Sequence, residues 1–239
     1  MVTVTRPQTE RRGPFGDRFT RHGRGALLLS SAILAMAEAG FIAASYLGSR
    51  WLFGGLALVA LLLWAFLLSF FRNPRRRIPE GDRDVVAAAD GKVTSVTEVE
   101  EEDFIGAPAT RISIFLSVFN VHVNRAPVGG IVERLLHRKG TFRNALDRDA
   151  RETNECQEIG IRMADDTRVL VRQIAGLIAR RIVCPLDEGA SIDKGFDFGM
   201  IRFGSQTEVS VPARDGRPFQ VRVAPGDTVR GGETILGEW

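Results

Sequence analysis

Two long apolar runs open the chain, and short alternating segments make up most of the remainder. The first run covers residues 25–47, the second covers residues 51–71, and Gly48-Ser49-Arg50 separates them. Each run has about the twenty residues that a helix needs to cross a bilayer core. Because the join is too short for a folded element, the pattern predicts a helical hairpin that crosses a membrane and returns. The alternative is a buried hairpin of a soluble protein, in which the second run would leave no polar face.

Basic residues flank this hairpin on one side. Arginines cluster before the first run and after the second, whereas the turn offers only Arg50. Basic flanks mark the cytoplasmic side, so both termini and the chain after residue 71 are expected in the cytoplasm, at the cell (inner) membrane. A cleaved signal peptide fits poorly, because no short apolar segment ends in a small-residue cleavage site. The flanking residues are Arg6, Arg11, Arg12, Arg18, Arg21, Arg24, Arg72, Arg75, Arg76 and Arg77.

Beyond residue 84, short β-branched runs alternate with Gly, Pro and Asp turns, a pattern typical of strands. The expected fold class is mixed α/β but mainly β: a barrel-sandwich-like domain with minor helices, preceded by the two-helix hairpin. A helix is predicted over 144–152, and 176–183 fits a helix or a buried strand. Segments 85–96 and 221–236 both place Gly turns between strands, and the second resembles the paired turns of lipoyl and biotinyl carriers. The predicted strands are 85–89, 92–99, 111–116, 130–136, 159–163, 168–174, 207–211, 219–223 and 233–236.

These patterns divide the chain into a basic tail (1–24), a membrane anchor (25–71), a basic linker suited to anionic headgroups (72–84) and a β-rich domain (85–239), which is the candidate catalytic domain on the residues considered next. Glu38 is a carboxylate within the first apolar run, and we assign it no catalytic role. Cys156 and Cys184 are the only cysteines and do not cluster with the histidines. Free thiols and no metal site are therefore expected.

The bond between Gly204 and Ser205 is the candidate reaction centre. It joins two β-rich runs, and glycine permits backbone angles that bend a peptide toward attack. If Ser205 Oγ attacks the Gly204 carbonyl, the amide becomes an ester, and loss of the Ser205 α-proton then expels Gly204 as a carboxylate. The resulting dehydroalanine hydrolyses to a pyruvoyl group. Gly-Ser pairs are common, so an ordinary turn is the competing interpretation.

A serine hydroxyl needs a base within hydrogen-bond reach, and that base needs an orienting partner. His122 lies in a mixed apolar and polar loop between predicted strands, and Asp90 lies in an Asp-Gly turn. Both are candidates for these roles. A histidine bonded for packing and an aspartate chosen for turn geometry are the competing interpretations.

Several spaced motifs together resemble the phosphatidylserine decarboxylase proenzymes of the short, membrane-anchored bacterial and archaeal type. Taken in order along the chain, they cover nearly everything from about residue 70 to residue 212. They are Phe71-Arg72-Asn73-Pro74, Ala88-Ala89-Asp90-Gly91-Lys92-Val93, 115–127, Asn154-Glu155, 173–182 and 199–209.

The resemblance implies that Asp90, His122 and Ser205 form a self-cleavage triad. Cleavage would leave a β subunit (1–204) and an α subunit (205–239) that begins with a pyruvoyl group, a covalent cofactor that needs no metal. Two departures bear on this. Arg125 stands where longer relatives have a second histidine, so it stays open whether His122 serves both cleavage and decarboxylation. Gln206 stands where many relatives have Ser or Thr, and we expect cleavage to persist.

The implied reaction converts phosphatidylserine to phosphatidylethanolamine and CO₂ through a Schiff base, with the pyruvoyl group as electron sink. His122 is the expected acid that protonates the carbanion. Arg125, Arg180 and Arg181 are candidate ligands of the headgroup phosphate, although arginines of these types can equally stabilise the fold. The expected partners are phosphatidylserine in the membrane and the two cleavage products in a heterodimer, with a higher oligomer left open and no nucleic acid.

Two other functions compete with this one. A membrane-tethered barrel-sandwich adaptor or carrier without catalysis would explain the anchor and the Gly-turn segments, but it leaves residues 115–127 and 199–209 unexplained. A different pyruvoyl enzyme, such as an amino-acid decarboxylase, would not need a lipid-directed anchor. A proenzyme splits at Gly204-Ser205, whereas an adaptor stays whole.

Overall fold

The computed structural model describes residues 19–46, 48–144, 150–177, 181–202 and 205–239. These residues form two compact units, 19–75 and 76–239. Most of the predicted basic tail, Arg180 and Gly204 lie outside the described residues, as does most of the helix predicted over 144–152.

The first unit contains the predicted helical hairpin. Helix α1 covers Arg24–Ser45 after a 3₁₀ turn at Arg21–Gly23, and helix α2 covers Arg50–Phe70. Trp64 Nε1 donates to Ser31 Oγ at 3.0 Å, which satisfies two polar groups between the apolar helices. Both helices are long and apolar enough to cross a membrane. The predicted pair of apolar helices is confirmed.

The base of the hairpin depends on a close approach between its two ends. Thr20 N donates to the Phe71 carbonyl at 2.9 Å. A Cβ at Gly23 would lie 2.1 Å from the Phe71 ring. Only glycine leaves room for that ring, so the residues before α1 and after α2 lie against each other.

The second unit is mainly β, as expected, with a four-residue helix α3 at Ala150–Thr153. Its largest sheet has eight strands, in the order β13-β2-β3-β11-β7-β6-β5-β9, and two three-stranded sheets have the orders β1-β14-β12 and β4-β10-β8. The strands are β1 Asp84–Val86, β2 Gly91–Glu101, β3 Ala107–Leu116, β4 Val123–Arg125, β5 Gly130–Arg138, β6 Cys156–Arg162, β7 Arg168–Ile174, β8 Arg181–Val183, β9 Ser191–Ile192, β10 Asp197–Arg202, β11 Ser205–Pro212, β12 Gln220–Val221, β13 Thr228–Val229 and β14 Ile235–Glu238.

All nine predicted strands have a counterpart, although their bounds shift by a few residues. Strand β1 ends at Val86, so residues 87–89 of the predicted strand continue as irregular chain. The segment that fitted a helix or a strand contains strand β8 where it is described. Strands β4, β9 and β13 were not predicted because they are only two or three residues long, and β10 was not predicted because it has one β-branched residue.

The two Gly-turn segments pair with each other. Val93 N donates to the Asp227 carbonyl at 2.9 Å, and Gly226 N donates back to the Val93 carbonyl at 2.8 Å. One turn further along, Gly232 N donates to Ala87 O at 2.8 Å. This pairing attaches the C-terminal segment to the chain on either side of Asp90.

Candidate active site

Strand β11 begins at Ser205 and buries all eight of its residues. Alternate side chains of a strand share a face, so Ser205 and Thr207 lie on one face, and Gln206 and Glu208 lie on the other. Gln206 Nε2 donates to Glu208 Oε1 at 2.8 Å. The departure from the family pattern at residue 206 is therefore on the face opposite the serine hydroxyl.

The Ser205 hydroxyl is completely buried, and Oγ has no hydrogen-bond partner among the described residues. Buried hydroxyls nearly always find a partner, so each exception needs an explanation. Among the described residues, no other group takes up the Ser205 Oγ, so this hydroxyl, directly after the candidate scissile glycine, stays available to a base.

Asn124 connects the three segments that carry the candidate triad. Its Nδ2 donates to Thr207 Oγ1 at 2.9 Å and to the Ala88 carbonyl at 3.4 Å, and its Oδ1 accepts from Gln173 Nε2 at 2.8 Å. Thr207 lies two residues after Ser205, and Ala88 lies two residues before Asp90. Asn124 itself lies two residues after His122. Two residues span at most about 7 Å, so this buried amide brings all three segments together.

His122 is completely buried directly before strand β4, whose first residue Val123 pairs with Met200 of β10. Strand β10 leads to the candidate cleavage point. His122 Nδ1 lies 2.9 Å from the Asn120 carbonyl oxygen. A carbonyl oxygen only accepts hydrogen bonds, so Nδ1 carries the proton, and in the neutral imidazole Nε2 has the basic lone pair.

The Asp90 carboxylate is held by Arg76 and by a backbone amide. Arg76 Nη2 lies 2.8 Å from Oδ1 and 2.7 Å from Oδ2, and Gly231 N donates to Oδ1 at 2.8 Å. The sequence predicts that Asp90 orients His122, whereas in this structure the hydrogen bond that orients the His122 ring is made to Asn120 O. The register places Lys92, Phe115 and Gln206 in one row across β2, β3 and β11. Two strand spacings of about 4.8 Å therefore separate the Asp90 and Ser205 segments, so a bridging side chain is needed between them.

The candidate phosphate ligands have different environments. Arg125 is buried and donates from Nη1 to the Gly195 carbonyl at 3.0 Å, which supports a structural role. Arg181 is exposed on β8, directly opposite Arg202 of β10. Like charges opposite each other in a sheet repel. Burial lowers the pKa of the Arg202 guanidinium, and Arg181 lowers it further.

Arg202 is a functional candidate that the sequence did not provide. Arg202 lies three residues before Ser205, directly opposite Arg181 in the strand pair β8–β10. The sequence did not predict that these two strands pair. Within the described ranges, no group of three or more His, Cys, Asp or Glu residues could hold a metal ion.

The fold and the site together define a class: β-domain proteins that bury a serine at the start of a strand and carry two apolar helices earlier in the sequence. Residues 63–237 match the family model for phosphatidylserine decarboxylase. The chain belongs to the phosphatidylserine decarboxylase family, as the motif resemblance indicated.

Curated relatives support the same assignment, and each is called a phosphatidylserine decarboxylase proenzyme. The protein from Carboxydothermus hydrogenoformans is 47% identical over 76% of this chain and 84% of its own length. The Chlorobium limicola protein is 40% identical over 89% of this chain and 96% of its own. The protein of Syntrophus aciditrophicus is 40% identical over 86% and 92%. None of these comparisons supports the non-catalytic carrier.

Proposed function

We propose that this protein is a phosphatidylserine decarboxylase that matures by cutting its own backbone between Gly204 and Ser205. The observation that carries the proposal is the Ser205 hydroxyl, which is buried and has no partner among the described residues, in a chain of this family. The family relatives are proenzymes by name, which agrees with maturation by cleavage.

In the proposed maturation, Ser205 Oγ attacks the Gly204 carbonyl carbon as a base removes its proton. The peptide C–N bond breaks, the nitrogen is protonated, and an ester replaces the amide. Removal of the Ser205 α-proton then breaks the Cβ–O bond, and Gly204 leaves as a carboxylate. Hydrolysis of the remaining enamine releases ammonia and leaves a pyruvoyl group at the new terminus.

His122 is the base in this scheme. Its Nδ1–H is fixed by the Asn120 carbonyl, so Nε2 is the atom that accepts the Ser205 proton. Asp90 completes the triad as a nearby carboxylate. Ionised Asp offers about four acceptor positions, and the three contacts from Arg76 and Gly231 leave one on Oδ2. That position would accept the His122 Nδ1–H in place of the Asn120 carbonyl while Nε2 takes the Ser205 proton.

The pyruvoyl group would supply the electrophilic carbonyl that condenses with the serine amine of the lipid and withdraws electrons as CO₂ departs. The chain's own residues would bind the headgroup and move the proton. Arg181 and Arg202 lie in the strand pair that leads to Ser205, and a phosphate between them would relieve their mutual repulsion. His122 would then protonate the substrate α-carbon.

The two fragments are proposed to stay together as a heterodimer. Strand β11, the first segment of the α subunit, lies between β3 and β7 in the middle of the eight-stranded sheet. Strands β13 and β14 pair with β2 and β1 of the larger fragment. Cutting one peptide bond before β11 leaves all of these ladders in place.

The helical hairpin is proposed to hold the β domain at the cytoplasmic face of the cell membrane. Both helices are long and apolar enough to span, and the arginine-rich flanks indicate the cytoplasmic side. A diacyl lipid would then reach the site without leaving the bilayer surface.

The test is decarboxylation of phosphatidylserine by the full-length chain in detergent micelles, followed as release of CO₂ and formation of phosphatidylethanolamine. Activity should be lost when borohydride reduces the carbonyl of the cleaved chain. A cleaved, folded protein that leaves phosphatidylserine unchanged would remove the substrate assignment.

A further inference from the structure

The predicted basic linker contains one arginine that is not exposed to a membrane surface. The Arg76 side chain is only 7% exposed, and its guanidinium contacts Asp90 and Glu233. Arg76 therefore differs from the neighbouring arginines that the sequence assigned to anionic headgroups. Burying a guanidinium is costly unless it is paired, and two carboxylates provide that pairing.

We propose that Arg76 is a positioning residue for self-cleavage, which fixes the Asp90 carboxylate relative to the Ser205 strand. The inference rests on the proposed function, because it gives Asp90 a role in maturation. Arg76 touches neither Ser205 nor His122 in any described contact, so it would act through Asp90.

The contacts around Arg76 join three separate parts of the chain. Nη2 holds both oxygens of Asp90, and Nη1 lies 3.2 Å from Glu233 Oε2. The backbone N–H of Arg77 donates to Glu233 Oε1 at 3.1 Å. Glu233 belongs to the proposed α subunit, whereas Arg76 and Asp90 belong to the β subunit. The cluster thus connects the aspartate to the fragment that begins with the nucleophile.

The remaining contact of Asp90 strengthens the same arrangement. Gly231 N donates to Oδ1, and Gly231 is adjacent to Gly232, whose amide pairs with Ala87. The Asp90 carboxylate is therefore held by a guanidinium nitrogen of Arg76, which precedes it in the chain, and by the backbone amide of Gly231, which follows it. It cannot rotate without breaking charge-assisted bonds. One acceptor position on Oδ2 remains, and it would take the His122 Nδ1–H in exchange for the Asn120 carbonyl.

The experiment compares self-cleavage rates of full-length variants in detergent by denaturing electrophoresis and intact mass. Arg76→Ala should cleave about tenfold or more slowly than wild type, the effect expected from losing a charge-assisted hydrogen bond. Arg76→Lys should recover part of the rate, since an ammonium can reach one oxygen. Guanidinium ion at millimolar concentration should accelerate Arg76→Ala but not wild type.

Arg230→Ala is the matched control. Arg230 also lies near Glu233, at 4.0 Å, but its side chain is 72% exposed, and the contacts of the described residues do not join it to Asp90. It should cleave at the wild-type rate. Thermal stability of each variant separates a slow site from an unfolded chain: a folded Arg76→Ala whose cleavage is not restored by guanidinium would indicate a structural role alone.

Failure of this inference is distinct from failure of the proposed function. If wild type cleaves and Arg76→Ala cleaves equally fast, Arg76 does not position Asp90, while the self-cleaving assignment stands. If Arg76→Ala cleaves faster, Arg76 competes with His122 for Asp90 and the positioning role is wrong. If wild type never cleaves, the proposed function fails first.

Discussion

Replacing Asn124 by Ala tests whether one buried amide assembles the site. The side chain is fully buried and makes short hydrogen bonds with Thr207 Oγ1 at 2.9 Å and Gln173 Nε2 at 2.8 Å. Truncation to Ala removes these hydrogen bonds and leaves the Thr207 and Gln173 side chains buried without them. Each stranded group costs about 1–3 kcal/mol, so the free energy of unfolding should fall by about 2–6 kcal/mol.

The same substitution should slow maturation. Asn124 lies two residues from His122 and contacts the Ser205 strand and the Ala88 carbonyl. A displacement of about 1 Å between reacting groups can lower a rate by about 100-fold. Cleavage of Asn124→Ala should therefore be slower than wild type by up to about that factor, measured by a time course on denaturing gels. Stability is measured by urea titration with Ser205→Ala also present, so that every chain is uncut.

Glu101→Ala is the matched control. Glu101 is buried, and its Oε2 accepts from Phe104 N at 3.1 Å and Ile105 N at 2.6 Å, so its loss also leaves two backbone donors without this partner, one buried and one half-buried. It lies at the far end of β2, nine residues from Lys92, about 30 Å along the strand. Glu101→Ala should lose stability but keep its cleavage rate. If both variants cleave equally slowly, or if Asn124→Ala cleaves normally, Asn124 does not organise the site.

Three further predictions concern the headgroup, a thiol and acid stability. Arg202→Ala should raise KM for phosphatidylserine about 10- to 100-fold with little change in kcat, because a phosphate contact is made equally in the ground and transition states. An unchanged KM would exclude Arg202 from the headgroup site, and substitution of the exposed Arg217 by Ala is the control. Burial raises the pKa of the Cys184 thiol to about 11, so at neutral pH a thiol reagent should modify Cys184 only after denaturation. Rapid labelling of the native protein followed by mass mapping checks this, and modified Cys184 in the native protein would contradict it. The Arg77 backbone N–H, with Arg76, lowers the pKa of Glu233. A carboxylate whose pKa is lowered on folding stabilises the fold at pH values above its ordinary pKa, about 4.5, and this stabilisation is lost as the pH falls. The free energy of unfolding should therefore decrease below about pH 4.5, and it should decrease less in Glu233→Gln. Equal decreases in both proteins would contradict this.

The sequence predicted most of the sheet because short β-branched runs between Gly, Pro and Asp turns mark strands. Strand β7 follows the predicted bounds, 168–174. Strand β10 escaped prediction because Ile201 is its one β-branched residue and Gly199 lies within it. Strand β4 is three residues long, and the polar Asn124 at its centre is satisfied by Thr207, 83 residues away. No local pattern reveals such a partner.

The sequence offers the candidate site residues but not their contacts. Motif spacing brought Asp90, His122 and Ser205 forward, and their segments do converge on Asn124. Arg76 was interpreted as membrane charge, because basic residues next to an apolar run usually are. Its partner Glu233 lies 157 residues away, and only the pairing of the two Gly-turn segments brings that carboxylate beside Asp90.

Intact mass of the purified, active protein tests the central claim most directly. The predicted result is two chains that divide between Gly204 and Ser205, with the fragment 205–239 lighter by one ammonia than the encoded peptide because a pyruvoyl group replaces its first residue. Ser205→Ala should give one uncut, inactive chain. A preparation that decarboxylates phosphatidylserine while remaining a single polypeptide of full length would contradict the account.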